Sequence, residues 1–191
     1  LKKIYLGHPL NNNDCNQLIE AIFTNQFPNL YSCHVGNLSN IDAMANLPSI
    51  RLPNLKSLFL LTRHPDNVIR ILQLCPNLER FYVKFIDTRS LVPTFIQKEH
   101  SFTCISLHRL TLDNVDDLSV EVIDRILCLT PNVKRLTIAN PRCPSDKIHL
   151  KHLANTLHQR LPSLKQLHTQ IWLEDLDSHD VDPKRIDKVQ S

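Results

Sequence analysis

Glycine is scarce in this chain, with only Gly7 and Gly36 among 191 residues. Loops that cradle phosphate groups need several glycines, because their backbone N–H groups must approach the anion closely. The sequence therefore excludes the nucleotide-binding fingerprints. Long hydrophobic runs are missing too, since no stretch approaches 18 consecutive apolar residues. We therefore expect no transmembrane helix and no membrane partner.

An excess of charge of one sign is also missing: 22 Lys and Arg face 19 Asp and Glu, a formal charge of +3 at pH 7. A generic nucleic-acid binder neutralises many phosphates, so this balance disfavours nucleic acid as a partner. The six cysteines are scattered without a CxxC pair, mostly in apolar runs. They are expected to be buried thiols in a reducing compartment, which predicts a cytoplasmic or nuclear location.

One phrase recurs along the chain. Its clear copies are FPNLYSCHV at 27–35, LPNLKSLFL at 52–60, CPNLERFYV at 75–83, TPNVKRLTI at 130–138 and LPSLKQLHT at 161–169. Two further copies lack the proline, LKKIYL at 1–6 and SLHRLTL at 106–112. The first apolar anchors are Leu1, Leu30, Leu55, Leu78, Leu107, Val133 and Leu164, 23 to 31 residues apart. This spacing is typical of one strand plus one helix per unit.

The apolar pattern changes within each unit. Each copy ends with alternating apolar residues, such as Leu58 and Leu60, which is the period of a strand. Between copies the spacing becomes helical, as in Val68, Ile71 and Leu72. Prolines just past these stretches forbid a further helical turn, namely Pro28, Pro53, Pro76, Pro131 and Pro162. Helix N-caps are predicted at Asp14, Asp66, Ser119 and Asp146.

Repetition of this unit predicts the architecture. A strand, a helix and a second parallel strand close with a right-handed crossover. Stacked units predict an α/β solenoid, a right-handed β-α superhelix with parallel strands on the concave face and helices on the convex face. We expect about seven units over residues 1–173, in an array truncated at its N-terminus because the chain opens on Leu1. Residues 174–191 are expected to form a C-terminal cap or polar tail, with Trp172 and Leu173 covering the end of the core.

The repeated Leu-x-x-Leu-x-Leu, as in Leu55-Lys56-Ser57-Leu58-Phe59-Leu60, resembles the leucine-rich-repeat superfamily over roughly residues 1–171. Helical return segments, variable unit length and the Pro-Asn-Leu phrase look most like the repeat regions of F-box/leucine-rich-repeat proteins. That resemblance implies substrate recognition for a cytosolic ubiquitin ligase. In that family an F-box binds the ligase scaffold, and we find no F-box pattern in this sequence, so a scaffold partner would require one upstream.

One position departs from that family. Its members usually place Asn or Cys three positions after the last strand leucine, whereas Asn37, Asn114 and Asn140 come one residue early here. The side-chain ladder that satisfies loop backbone groups in the family is therefore predicted to be absent or rearranged.

Alternate strand residues should point away from the core, because successive Cβ atoms face opposite sides of a strand. The aligned copies predict a first outward row of Lys3, Ser32, Ser57, Arg80, Arg109, Arg135 and Gln166. The second is Tyr5, His34, Phe59, Tyr82, Thr111, Thr137 and His168, and a third holds Leu61, Lys84 and Asp113. From these rows the predicted partner-binding residues are Tyr5, His34, Phe59, Arg80, Tyr82, Lys84, Arg109, Arg135 and His168.

The three arginines would stack about 4.8 Å apart as like charges, beside exposed aromatic rings. Because arginine and aromatic side chains dominate binding hot spots, this arrangement predicts an acidic or phosphorylated protein segment across the central strands. A competing interpretation is that the arginines merely splay into solvent. An alternative function is a ribonuclease-inhibitor-like or nucleic-acid-binding scaffold, which a steep loss of affinity with salt would reveal.

Catalytic and metal-binding patterns are weak. The nearest groupings of metal-ligand type are Cys143 with His149 and His152, and Cys104 with His108. Structural zinc needs four convergent ligands, so we expect no metal and no cofactor. Neighbours on a strand such as Cys33 and His34 face opposite sides and cannot form a dyad, and no Gly-x-Ser-x-Gly elbow exists. The sequence predicts a non-catalytic protein-interaction module.

Overall fold

The computed structural model describes residues 1–6, 17, 20–38, 51–86, 102–115, 118–143 and 150–173. Within them the strands are β1 (Lys3–Leu6), β2 (Ser32–Leu38), β3 (Ser57–Thr62), β4 (Arg80–Phe85), β5 (Arg109–Asp113), β6 (Arg135–Cys143) and β7 (Gln166–Leu173). The helices are α1 (Pro65–Leu74), α2 (Val120–Cys128) and α3 (Leu150–Arg160), and residues 20–23 are also helical. The predicted tail at 174–191 lies outside the described residues, as do the side chains of Trp172 and Leu173.

All seven strands form one parallel sheet in sequence order, from β1 to β7. Parallel neighbours need a long crossover, and helices supply part of it between β3 and β4, between β5 and β6, and between β6 and β7. The register follows the recurring phrase, so that Leu58, Phe81, Leu110 and Leu136 pair in succession. It shifts between Val35 and Leu38 and between Ala139 and Arg142. The predicted α/β class with parallel strands is confirmed.

One face of the sheet packs against the helices in a continuous apolar core. Strand residues alternate between buried and partly exposed, as Ser57–Thr62 does throughout its length. The anchors Leu55, Leu78 and Leu107 are at most 1% exposed. Leu1 was predicted as an equivalent anchor, and this was wrong: it is 69% exposed, because β1 is the first strand of the described sheet and no earlier strand covers it.

Helix ends agree with the proline pattern but not with every predicted cap. Pro76, Pro131 and Pro162 follow the ends of α1, α2 and α3. Ser119 is the N-cap of α2, although its side chain makes no capping hydrogen bond. The prediction for Asp66 was wrong: α1 begins at Pro65 with His64 as N-cap, because proline is favoured in the first helical turn, where its missing N–H costs nothing. Asp14 and Asp146 lie outside the described residues.

The cysteines only partly match the expected burial. Cys33, Cys75 and Cys104 are free and buried, whereas Cys128 is exposed at the end of α2, contrary to prediction. Burial raises the pKa of the Cys33 thiol to about 12 and raises that of Cys75 further. The buried thiols are therefore protonated and inert at neutral pH.

The asparagines of the recurring phrase link successive units, a role that the sequence reasoning missed. The Nδ2 of Asn54 donates to the carbonyl of Pro28 at 2.8 Å, and that of Asn77 donates to Pro53 at 3.0 Å. Asn132 donates in the same way to Ile105 at 2.9 Å. At the opposite end of the strands Asn114, with φ at 58°, donates to the carbonyl of Phe85 at 2.7 Å. Side chains thus satisfy backbone carbonyls at both ends of the strands. Of the three displaced asparagines, only Asn114 has a described side chain, because those of Asn37 and Asn140 lie outside the described part of the structure.

Replacing Asn77 with alanine should lower the free energy of unfolding by about 1 kcal/mol, because one hydrogen bond between neighbouring turns is lost. Asn155→Ala is the matched control, since Asn155 is exposed on α3 and alanine favours helix there. Urea denaturation followed by circular dichroism measures both. An equal loss in the two variants would mean that the turn contact contributes nothing specific.

Candidate functional site

The face of the sheet opposite the helices carries the predicted outward rows, and we refer to it as the open face. Strand register places Arg80, Arg109 and Arg135 side by side in the first row. It also aligns Tyr5, His34, Phe59 and Tyr82 in the second. His168 closes that second row on β7, separated from Tyr82 by Thr111 and Thr137. The predicted alignment of the rows is confirmed.

Three successive positions of the first row are cationic. Arg80, Arg109 and Arg135 are exposed, and within the part of the chain that the structure describes none of them makes an ion pair. Adjacent parallel strands lie about 4.8 Å apart, so these like charges repel one another. A bound anion would relieve that repulsion and accept hydrogen bonds from more than one guanidinium.

In the second row the rings of His34, Phe59 and Tyr82 stack, and the ring of Tyr5 packs against His34 at a tilt of 40°. The ring centroids of Tyr5 and His34 are 4.3 Å apart, those of His34 and Phe59 are 3.8 Å apart, and those of Phe59 and Tyr82 are 4.6 Å apart. We call these four residues the ring stack. Because Phe59 lies between the nearly parallel rings of His34 and Tyr82, both of its faces are covered. Ring edges carry partial positive charge and favour carbonyl or carboxylate oxygens.

His34 lies inside the ring stack between Tyr5 and Phe59. Burial lowers the pKa of its imidazole below the ordinary value. The ring is therefore mainly neutral near pH 7, and the uncompensated positive charge of this region is carried by the first row.

The third row is neutralised internally. Tyr82 donates its hydroxyl to Asp113 Oδ2 at 2.5 Å, and Lys84 Nζ lies 3.9 Å from the same oxygen. Asp113 was predicted to face outward, but these neighbours cover it and leave it only 9% exposed. Burial, together with this hydrogen bond and the nearby carboxylate, raises the pKa of Tyr82. Lys84, a predicted binding residue, thus already has a partner for its charge.

Further cations lie where the strands begin, and the sequence rows did not include them. Lys134 and Lys165 directly precede β6 and β7, are exposed, and are joined by a backbone hydrogen bond from Lys165 N to Lys134 O. Two strands away, Lys56 and Glu79 occupy the same positions and form an ion pair at 3.2 Å. Lys134 and Lys165 therefore add positive charge at the starts of β6 and β7, next to Arg135.

Other kinds of site find little support in the described residues. They include no group of three or more His, Cys, Asp or Glu side chains that could hold a metal ion. Cys104 is buried while His108 is exposed, so that pair does not converge. None of the helices among these residues has the length and apolar character needed to cross a bilayer.

Comparison of the sequence with models of known protein families and with curated proteins finds no match. A function for this chain therefore has to be argued from its repeats and from the chemistry of the open face.

Proposed function

We propose that this chain is a non-catalytic protein-interaction module that binds a partner protein on its open face. The observation that carries the proposal is the line of uncompensated arginines beside the ring stack on one continuous sheet. Arginine and aromatic side chains are the residues most enriched among binding hot spots. A broad, open sheet face suits the surface of a protein partner.

We also propose that the chain belongs to the leucine-rich-repeat superfamily. One strand per recurring phrase, parallel pairing in sequence order and helices on the opposite face all support a leucine-rich-repeat solenoid with a concave open face. By its resemblance to F-box/leucine-rich-repeat proteins, we infer substrate recognition for a ubiquitin ligase, with the scaffold bound by an F-box elsewhere. The free, buried thiols support a cytoplasmic setting.

The partner is inferred to present an acidic or phosphorylated segment across β4 to β6. Carboxylate and phosphate oxygens accept paired hydrogen bonds from arginine, and one such group can contact guanidinium groups on neighbouring strands. Nucleic acid is the competing partner, because its phosphates would contact the same arginines. The experiment below therefore has to distinguish the two. The ring stack disfavours that alternative, since its inner ring faces are already covered and cannot receive bases.

A photo-reactive amino acid in place of Thr111 tests the proposal. Thr111 lies between Tyr82 and Thr137 on the open face, whereas Asn155 is exposed on α3 and provides the matched control position. Irradiation in a cell lysate should attach the Thr111 variant to a defined protein, identified by mass spectrometry, and the Asn155 variant should not yield that adduct. Equal labelling at both positions, or adducts with nucleic acid alone, would contradict the proposal.

A further inference from the structure

A depression crosses the open face above β2 and β3. The first row has small side chains there, Ser32 and Ser57, between the long side chains of Lys3 on β1 and Arg80 on β4. The ring stack forms one wall, and the resulting cavity has a volume of about 480 Å³. We call it the serine notch. This volume falls within the range of ligand clefts, about 300–1,000 Å³.

The charges of the notch are of one sign and lie at its two ends. Lys3 stands at one end, and Arg80 with Arg109 stands at the other; its lining residues include no carboxylate. Three strand spacings separate Lys3 from Arg80, which is about 14 Å at 4.8 Å per strand. Between these ends the floor offers two serine hydroxyls, which can donate to or accept from a peptide backbone.

We propose that the serine notch binds an extended segment of the partner in which two acidic residues are four positions apart and an apolar residue lies midway. This inference rests on the proposed function and names the chemistry of its partner. An extended chain advances about 3.4 Å per residue, so positions one and five span the 14 Å between the two cationic ends. Positions one, three and five also point to the same side of the chain, which directs the middle side chain into the notch against the ring stack.

Charge density favours such a peptide over a nucleic-acid duplex. A duplex carries about one charge per 1.7 Å of its axis, so it would bring roughly eight phosphates across the 14 Å span. The notch offers three cations, and one of its ends has Lys3 alone. A single carboxylate at each end matches that distribution, and the apolar wall between them matches an apolar side chain.

The probe is a fluorescein-labelled synthetic peptide, Glu-Thr-Phe-Thr-Glu flanked by glycines, measured by fluorescence anisotropy at low salt with the full chain. We expect it to bind at least tenfold more tightly than peptides whose glutamates are two or six positions apart, or in which glycine replaces phenylalanine. Lys3→Glu, Arg80→Glu and the notch-filling Ser57→Leu should each weaken binding at least tenfold. Lys151→Glu, which changes an exposed cation on α3 away from the open face, is the matched control and should change the affinity less than threefold.

Exchanging the charges of protein and peptide shows whether a variant that loses binding is still folded. One of the two peptides in which a single glutamate is replaced by lysine should recover binding to Lys3→Glu, and its identity gives the direction of the segment. Equal binding at every spacing, an equal loss with Lys151→Glu, or tighter binding of a phosphoserine peptide or a single-stranded oligonucleotide would overturn the inference. If no peptide binds while Thr111 still cross-links a protein, the notch inference fails and the proposed function stands.

Discussion

Replacement of Arg80, Arg109 and Arg135 by glutamate is expected to abolish partner binding and to leave the fold intact. The three side chains are exposed and make no ion pair among the described residues, so reversal of their charge breaks no ion pair of the folded state. An acidic partner would meet three repulsive charges instead of three attractive ones. We expect at least a hundredfold loss of affinity, about 2.7 kcal/mol, measured as loss of the Thr111 adduct and then by titration of the identified partner.

Two further variants separate recognition from stability. Arg51→Glu with Lys151→Glu changes exposed cations that are not in the rows of the open face, and should leave binding within threefold of the parent chain. Arg109→Glu alone places an acid between Arg80 and Arg135, which should raise the free energy of unfolding by about 0.5 kcal/mol as binding falls. Partner binding that survives the triple reversal would remove the arginine row from the proposed interface.

Replacement of Phe81 with alanine should cost about 3–5 kcal/mol of unfolding free energy, the largest loss of stability expected for a single change. Phe81 is 1% exposed in the middle of the sheet, and its removal leaves a cavity among side chains of β3, β5 and the helices. Urea denaturation followed by circular dichroism measures the loss.

Phe59→Ala is the matched control, because Phe59 is the same residue type on the opposite face of the adjoining strand. It should cost about 1–2 kcal/mol, chiefly through its contacts in the ring stack. Comparable losses for Phe59 and Phe81 would contradict the assignment of the two faces.

The rows of the open face could be predicted because the recurring phrase fixes the register. Once Leu58 and Leu110 are placed inward, their neighbours Phe59 and Thr111 must point outward. The pairing of the strands then follows from the alignment of the phrases. The same logic placed Arg80, Arg109 and Arg135 together without any structural information. Periodicity is strong here because one pattern is repeated several times and each copy supports the others.

Contacts between rows could not be predicted from that periodicity. The ion pair of Lys84 with Asp113 joins neighbouring strands, and the bond from Tyr82 to Asp113 crosses diagonally between two rows. Both contacts depend on the length and rotamer of the side chains. An alignment of the recurring phrase gives no information about either. Strand alternation placed Asp113 outward, and these two side chains then cover it.

The turn asparagines carried a signal that the analysis of apolar positions overlooked. Asn54, Asn77 and Asn132 occupy the same place in their phrases, directly after proline. A polar residue repeated at one fixed place indicates a repeated hydrogen bond, and each of them donates to the preceding unit. The buried pair formed by Thr62 and Asn67 left no such trace, because it occurs once and follows only from the path of the chain between β3 and α1.

Because the strands pair in sequence order, whole units can be added or removed without changing how the remaining strands pair. Among the described strands, each hydrogen-bonds only to its neighbours in sequence order. Duplication or loss of one whole unit during evolution would widen or narrow the open face by one strand, about 4.8 Å, and would leave the pairing of all other strands unchanged. Variants of this chain could therefore acquire partners of different length by changing the number of units, with little redesign of the units they keep.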